Sequence, residues 1–356
     1  MQRLNRRTLL RAGTLLAATA VAPIASACTI SGSGQPTATT VRGPVPTTNA
    51  PVGATTPPSA LAAPPTPGVA AATASRQAAA TPTNLIDWQR VDAAMGKAGA
   101  VQPGGVYRVA VPLDLQVTAR GVPLKAGFAL GSHVEFLQVG VNAAMFMGDL
   151  VLTEDEVSPV LAKLQQGGVD LAALHNYLLG ETPRVMYLHI GGHGDPVPTA
   201  AAIRAALELS KTPLGAATGG GGEQPDLDTA AVDRALGYQG KASGAVYQFS
   251  VPRAETITDM GMEIPPAMGV ATAINFQPTG GGKAAITGDF VLLGGEVRSV
   301  SRALRDAGID VTALHSHSLS DEPRLFYMHF WAVDDAVTLA QGLRAALATT
   351  NSVKPK

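Results

Sequence analysis

The sequence predicts an α+β fold of two homologous modules, each an antiparallel sheet with helices on one face. Two observations carry this. A segment near residues 100–208 returns near 240–348 at a constant offset of 140 residues, with Tyr107 matching Tyr247, Gly148-Asp149 matching Gly288-Asp289, His175 matching His315 and His189 matching His329. Within each copy, short runs of β-forming residues alternate with helical periodicity in a repeating order. A unit written twice in one chain points to two similar bodies related by a pseudo-twofold axis.

Each module opens on a short predicted helix, Trp88 to Ala98 and Asp228 to Gly237. Strands over Val106–Val111 and Val246–Val251 stop at Pro112 and Pro252, residues that cannot donate to a ladder. Further strands fit 126–137 with 142–152, and 267–277 with 283–293. The amphipathic helix that follows has Thr153 and Glu156 spaced as a capping box, with Val157, Val160, Leu161 and Leu164 on one face. The second copy keeps Glu296 but has Leu293 for the threonine, which predicts a weaker cap. A hairpin comes next, 169–177 with 184–191 and 309–317 with 324–331, its turn at Pro183 or Pro323. An Ala/Leu-rich helix closes each module. The order β-α-β-β-α resembles a split βαβ, ferredoxin-like core with an extra helix and strands in front.

The ends and linkers predict further divisions. Residues 1–28 carry Arg6-Arg7 before a short apolar run and end Ala25-Ser26-Ala27-Cys28, as in a twin-arginine export signal with a lipobox. Cys28 is the single cysteine, so an intramolecular disulfide and a cysteine zinc site are both excluded. Residues 29–83, rich in Thr, Pro and Ala, read as a disordered tether of roughly 40 Å end to end. Module 1 is placed at 84–211, a Gly-rich linker at 212–226 and module 2 at 227–350. With the signal removed, 22 basic residues face 27 acidic ones, a net charge of −5 that argues against nucleic acid as a partner.

Six of the seven histidines fall in the two hairpins. Residues two apart on a strand share a face, so His315 and His317 project together. With the turn centred on Asp321, His315 stands opposite Tyr327, and His329 lies about 7–8 Å away on the diagonal. Leu314, Phe326, Met328 and Phe330 then occupy an apolar face against the helices. Three neutral imidazoles can hold zinc or another divalent transition metal and leave one position open. Copy one has Tyr177 in place of the second histidine and adds His193, so the site is expected in copy two, from His315, His317 and His329. His175, His189, Tyr327 and Arg324 are candidate contacts for a small polar ligand. The plainer alternative is histidines satisfied inside a module interface. A salt bridge pinning the turn is the expected use of Arg184 and Arg324, and Gly-Asp 148–149 and 288–289 read as structural. His133, whose counterpart is Ala273, reads as a lone histidine. No nucleophile elbow, His-Glu-x-x-His or phosphate loop occurs.

The strings Thr312-Ala-Leu-His315-Ser-His317, Glu322-Pro-Arg324 and Met328-His329-Phe-Trp331, with Gly-Asp-Phe-Val-Leu at 288–292, resemble the LppY/LpqO lipoprotein family. The resemblance implies an exported, lipid-anchored protein and a His-x-His hairpin matched by His315 and His317, but no defined activity. The readings left open are an extracytoplasmic membrane-anchored protein binding a metal or polar ligand, a metal-dependent hydrolase with Glu322 as base, and a structural envelope protein.

Overall fold

The computed structural model describes residues 85–112, 115–125, 127–128, 130–212 and 223–355. The proposed signal, Cys28, the tether and most of the inter-module linker lie outside them.

Module 1 runs α1 (Trp88–Met95), β1 (Ala100–Val101), β2 (Tyr107–Pro112), β3 (Thr118–Ala119), β4 (Val122–Pro123), β5 (Gly131–Gly140), β6 (Ala143–Thr153), α2 (Glu154–Gln166), β7 (Asp170–Asn176), β8 (Glu181–Thr182), β9 (Val185–Gly194) and α3 (Pro196–Leu207). Module 2 repeats the order: α4 (Thr229–Leu236), β10 (Lys241–Ser243), β11 (Val246–Pro252), β12 (Thr258–Asp259), β13 (Met262–Glu263), β14 (Ala271–Gly280), β15 (Lys283–Leu293), α5 (Val297–Asp306), β16 (Asp310–His315), β17 (Asp321–Glu322), β18 (Leu325–Asp335) and α6 (Ala336–Leu347).

Each module has a six-stranded antiparallel sheet, ordered β1-β2-β5-β6-β9-β7 and β10-β11-β14-β15-β18-β16. In both, the helix after the sixth strand crosses over so that one later strand fills the gap: β9 lies between β6 and β7, and β18 between β15 and β16. Two three-stranded sheets, β4-β3-β8 and β13-β12-β17, tie each hairpin turn back to its module. Strands of two residues carry no alternation, so the sequence gives no sign of them. The Thr182–Pro183 and Glu322–Pro323 peptides are cis.

Local chemistry sets the helix ends. Asp87 and Asp228 accept from the backbone N–H groups of Gln89 and Ala231, while Gly96 and Gly237 close the helices in the left-handed conformation. Thr153 N donates to Glu156 Oε2 at 2.8 Å, and in module 2 Leu293 N donates to Glu296 Oε2 at 2.7 Å. The carboxylate half of the cap thus survives without the threonine. Tyr107 and Tyr247 are buried, and their hydroxyls donate to Asp92 and Asp233.

Alternation along the long strands decides what covers each face. Leu150, Leu152, Leu188 and Ile190 pack on α1, α2 and α3, and Phe290, Leu292, Met328 and Phe330 pack on α4, α5 and α6. The intervening residues face the other module. Val151, Val185 and Tyr187 share a buried cluster with Val246, Ala285 and Trp331, while Met145 and Met147 share one with Val291, Leu325 and Tyr327. The molecule is therefore helix–sheet–sheet–helix, with both sheets buried on both faces. Leu314 departs from expectation: it is 49% exposed, at the outer end of the edge strand β16.

Candidate metal centre between the modules

Five histidines from both modules converge at this sheet-to-sheet interface. His175, next to last in the edge strand β7, and His315, last in β16, stand opposite Tyr187 and Tyr327. His189 and His329 sit mid-strand on β9 and β18, opposite Asp149 and Asp289. His317 lies past the end of β16, so strand alternation does not aim it. It stacks on Tyr327 at 3.5 Å between ring centres instead.

The ring distances obey a pseudo-twofold exchange. His175–His189 at 4.8 Å mirrors His315–His329 at 4.6 Å, and His175–His329 at 5.2 Å mirrors His315–His189 at 4.9 Å. Tyr177–His329 at 3.6 Å mirrors His317–His189 at 3.9 Å. The self-paired contact, His175–His315 at 3.6 Å, lies on the axis. Two bulges bring the edges together: the register shifts before Ala173 and Ala313, and Thr312 donates to Tyr177 O while Asn176 Nδ2 donates to Thr312 O.

The two halves differ in how their polar atoms are satisfied. In module 1 a chain of hydrogen bonds runs Asp149 Oδ1 to His189 Nδ1 (2.6 Å), His189 Nε2 to His175 Nε2 (2.7 Å) and His175 Nδ1 to Asn176 O (2.7 Å). Two imidazole nitrogens in such contact share one proton. In module 2, His329 Nδ1 donates to Gly288 O at 2.9 Å, but His329 Nε2, His317 Nε2, Asp289 Oδ1 and both nitrogens of His315 are buried without a hydrogen-bond partner. His317 Nε2 approaches Asp289 Oδ2 at 3.4 Å without bonding it. Buried polar groups left unpaired cost roughly 1–3 kcal/mol each, so several at one point mark a place shaped for a guest that accepts lone pairs.

Among the described residues two sets of side chains could hold a metal ion: His175, His315 and His329, and His189, His315 and His317, the donor atoms of each set lying within 4.8 Å of one another. The expected set within copy two, His315, His317 and His329, is thus divided between two groups, each completed from module 1. Of the polar-ligand candidates, His175 and His189 join these groups. Tyr327 is buried under His317, and burial, with Asp289 next, holds its hydroxyl well above the usual phenol range. Arg324 does not reach the site. It donates to Ser318 O and Leu319 O and pairs with Asp321, so it pins the turn. Arg184 pairs with Glu154. Glu322 is exposed on β17 and belongs to neither ligand group.

Asp149 and Asp289, read from the sequence as structural, set their carboxylates against the histidines. Burial works against ionisation of Asp149, but the rings of His189 and His133 hold it well below the usual carboxylate range. Burial, followed by the charge of Asp149, pushes Asp289 well above that range. Burial drives His315, His317 and His329 down, and drives His175 down to about 4, so these rings are neutral and able to bind a cation. The signal for the aspartates was the twice-written Gly-Asp; only the pairing of β6 with β9 shows that it faces the histidines.

His133 stands 3.8 Å from Asp149 and 3.9 Å from Glu135. Burial, then the charge of Arg108, takes its ring down to about 4. A histidine depressed from 6.5 stabilises the fold fully above about pH 6.5, and that contribution is lost as pH falls through about 4. Replacing it with the residue module 2 carries, His133→Ala, is expected to remove about 3 kcal/mol of acid-linked destabilisation. Urea unfolding of metal-free wild type and variant at pH 7 and pH 4 measures this difference; parallel losses in both proteins would contradict it.

A cavity of about 110 Å³ lies against His317, lined by Gly191, Gly192, His193, Asp170, Met260 and Ser318 among others. At the pseudo-symmetric position the counterparts of Gly191 and Met260 are Trp331 and Arg120. Trp331 is 3% exposed and meets Phe128 edge-on at 6.1 Å, and Arg120 pairs with Asp310 at 2.6 Å. One flank of the histidine cluster is plugged, while glycines leave the other open.

The family described as Domain of Unknown Function (DUF1259) matches residues 89–209 and 230–349. The chain belongs to that family, in two tandem copies. No curated protein matches. Among solved structures it is similar to a trimeric bacterial microcompartment shell protein PduB (13% identity, 72% of this chain and 96% of that chain, TM-score 0.20) and to EtuB from Clostridium kluyveri (10% identity, 70% and 88%, TM-score 0.18). At these scores the likeness carries no argument about function. Among the described residues no helix is long and apolar enough to cross a membrane.

Proposed function

We propose that the protein binds a divalent transition metal at the inter-module histidine cluster and holds or carries it, as an exported lipoprotein anchored through Cys28. The observation that carries this reading is the group of buried, unpartnered ring nitrogens on His315, His317 and His329, set beside His175 and His189. Neutral imidazoles suit zinc, copper or nickel, and the far nitrogens of His189 and His329 already have orienting partners in Asp149 and the Gly288 carbonyl. The lipobox and the LppY/LpqO resemblance support the envelope setting, and the tether would hold the modules away from the membrane surface. The strand order supports a ferredoxin-like core in which β5, earlier in the chain, takes the place of the closing strand.

Holding is favoured over hydrolysis. A metal-bound water needs a base beside it, and Glu322, the candidate base, is exposed on β17 while the unpaired histidine nitrogens are buried. A small polar ligand without a metal would need acceptors matched by donors, whereas the unpaired atoms are chiefly imidazole nitrogens of neutral rings. Elemental analysis of the untagged, purified chain tests the reading. A transition metal in stoichiometric amount, released by chelator, is expected. Background metal in wild type, unchanged after incubation with Zn(II) or Cu(II), would sink it.

A further inference from the structure

We propose that the centre is dinuclear, with the His315 imidazole bridging two metal ions. One ion would be held by His175 and His329, the other by His189 and His317. This deepens the metal-binding reading above and rests on it.

Three observations point this way. His315 belongs to both ligand groups, while each of the other four histidines belongs to one. Both of its nitrogens are buried and unpartnered. An imidazole presents its two nitrogens on opposite edges of the ring, so one side chain can serve two ions but cannot turn both nitrogens on one. Three of the other four are committed differently. His189 and His329 have Nδ1 occupied, by Asp149 and by Gly288 O, and His175 has Nδ1 occupied by Asn176 O. Each of these three retains Nε2 as its donor to a metal. His315 has no such anchor on either side.

The pseudo-twofold relation exchanges His175 with His315 and His189 with His329, and does not carry one ligand group onto the other. The second group depends on the departure from that relation, His317 in place of Tyr177, which supplies its third ligand. Protons balance as follows. Two ions enter, and the proton shared by His175 and His189 leaves to solvent together with the ring proton of His315. The departing charge offsets part of the incoming positive charge, and the Asp149 carboxylate lies behind His189 to offset more.

The test is a titration of the metal-free full-length chain with Cu(II) and, separately, Zn(II), followed by desalting and elemental analysis, with electron paramagnetic resonance on the copper form. Two ions per chain and a spin-coupled copper spectrum are expected. His317→Ala is expected to retain one copper with an ordinary uncoupled signal, and circular dichroism checks that the variant folds. One ion per wild-type chain would overturn the dinuclear centre while leaving the metal-binding reading intact. Two ions with uncoupled spectra would overturn the bridge. No retained ion at all would overturn both.

Discussion

Zn(II) at a hundredfold excess over its dissociation constant is expected to raise the melting temperature of the metal-free chain by about 5–10 °C. The size follows from mass action. A ligand that binds only the folded state at that excess stabilises it by about 2.7 kcal/mol, and each kcal/mol moves the midpoint of a domain this size by about 2–4 °C. Binding only the folded state is a fair description here, because the ligand groups draw on both modules. His175 and His315 are 140 residues apart in sequence, and their rings lie 3.6 Å apart only once the two sheets have met. The same argument predicts which part of the molecule the metal protects: the inter-module interface rather than either helix layer. His315→Ala belongs to both groups and is expected to abolish the shift. Its own metal-free stability should change little, since it removes two unsatisfied buried nitrogens along with the packing of one ring. Differential scanning fluorimetry with and without chelator measures both effects. An undiminished zinc shift in His315→Ala would place the metal elsewhere.

The residues that make this centre were legible in part. The offset of 140 exposes the duplication, and alternation correctly puts Met328 and Phe330 against helices and His329 on the other face. Alternation states that a face exists but not what covers it. The pairing of His315 with His175 across the axis is a property of the assembled modules, and nothing within one copy encodes it. Asp149 and Asp289 show the same gap from another side. Their repetition is visible, yet a Gly-Asp pair reads equally as a tight strand contact, which the glycine is, and as a carboxylate aimed at imidazoles, which the aspartate is. Strands of two residues, such as β8 and β17, are too short for any periodic signal. The asymmetry of the two flanks was visible as Gly191-Gly192-His193 against Trp331-Ala332-Val333, but its meaning depends on knowing that both triplets border one cluster.

Gly288→Ala is expected to destabilise the chain by about 3 kcal/mol, the upper end of the range for forcing extra atoms into a packed site. A methyl group there would lie 2.0 Å from the Ala273 carbonyl oxygen and 2.9 Å from Phe330 Cζ. The first of these is backbone of β14, paired on both sides with β11 and β15, so it cannot swing aside as a side chain would. Gly288 stands opposite Ile274 and Phe330 in the two neighbouring strands, and absence of a side chain is what lets them close over it. Gly148 is the counterpart, but its nearest obstacle, the His133 carbonyl, is at 2.8 Å. Gly148→Ala is therefore expected to cost less, about 1.5 kcal/mol. Urea denaturation of both variants checks the order as well as the sizes. The larger substitution should also loosen the metal, because the Gly288 carbonyl orients His329 through its Nδ1 and the next residue is Asp289. A variant that retains wild-type zinc affinity with β15 displaced would mean that His329 does not depend on that carbonyl for its aim. Equal destabilisation by the two substitutions would mean that both sheets relax around the added carbon, and that the closer approach in module 2 has no mechanical consequence.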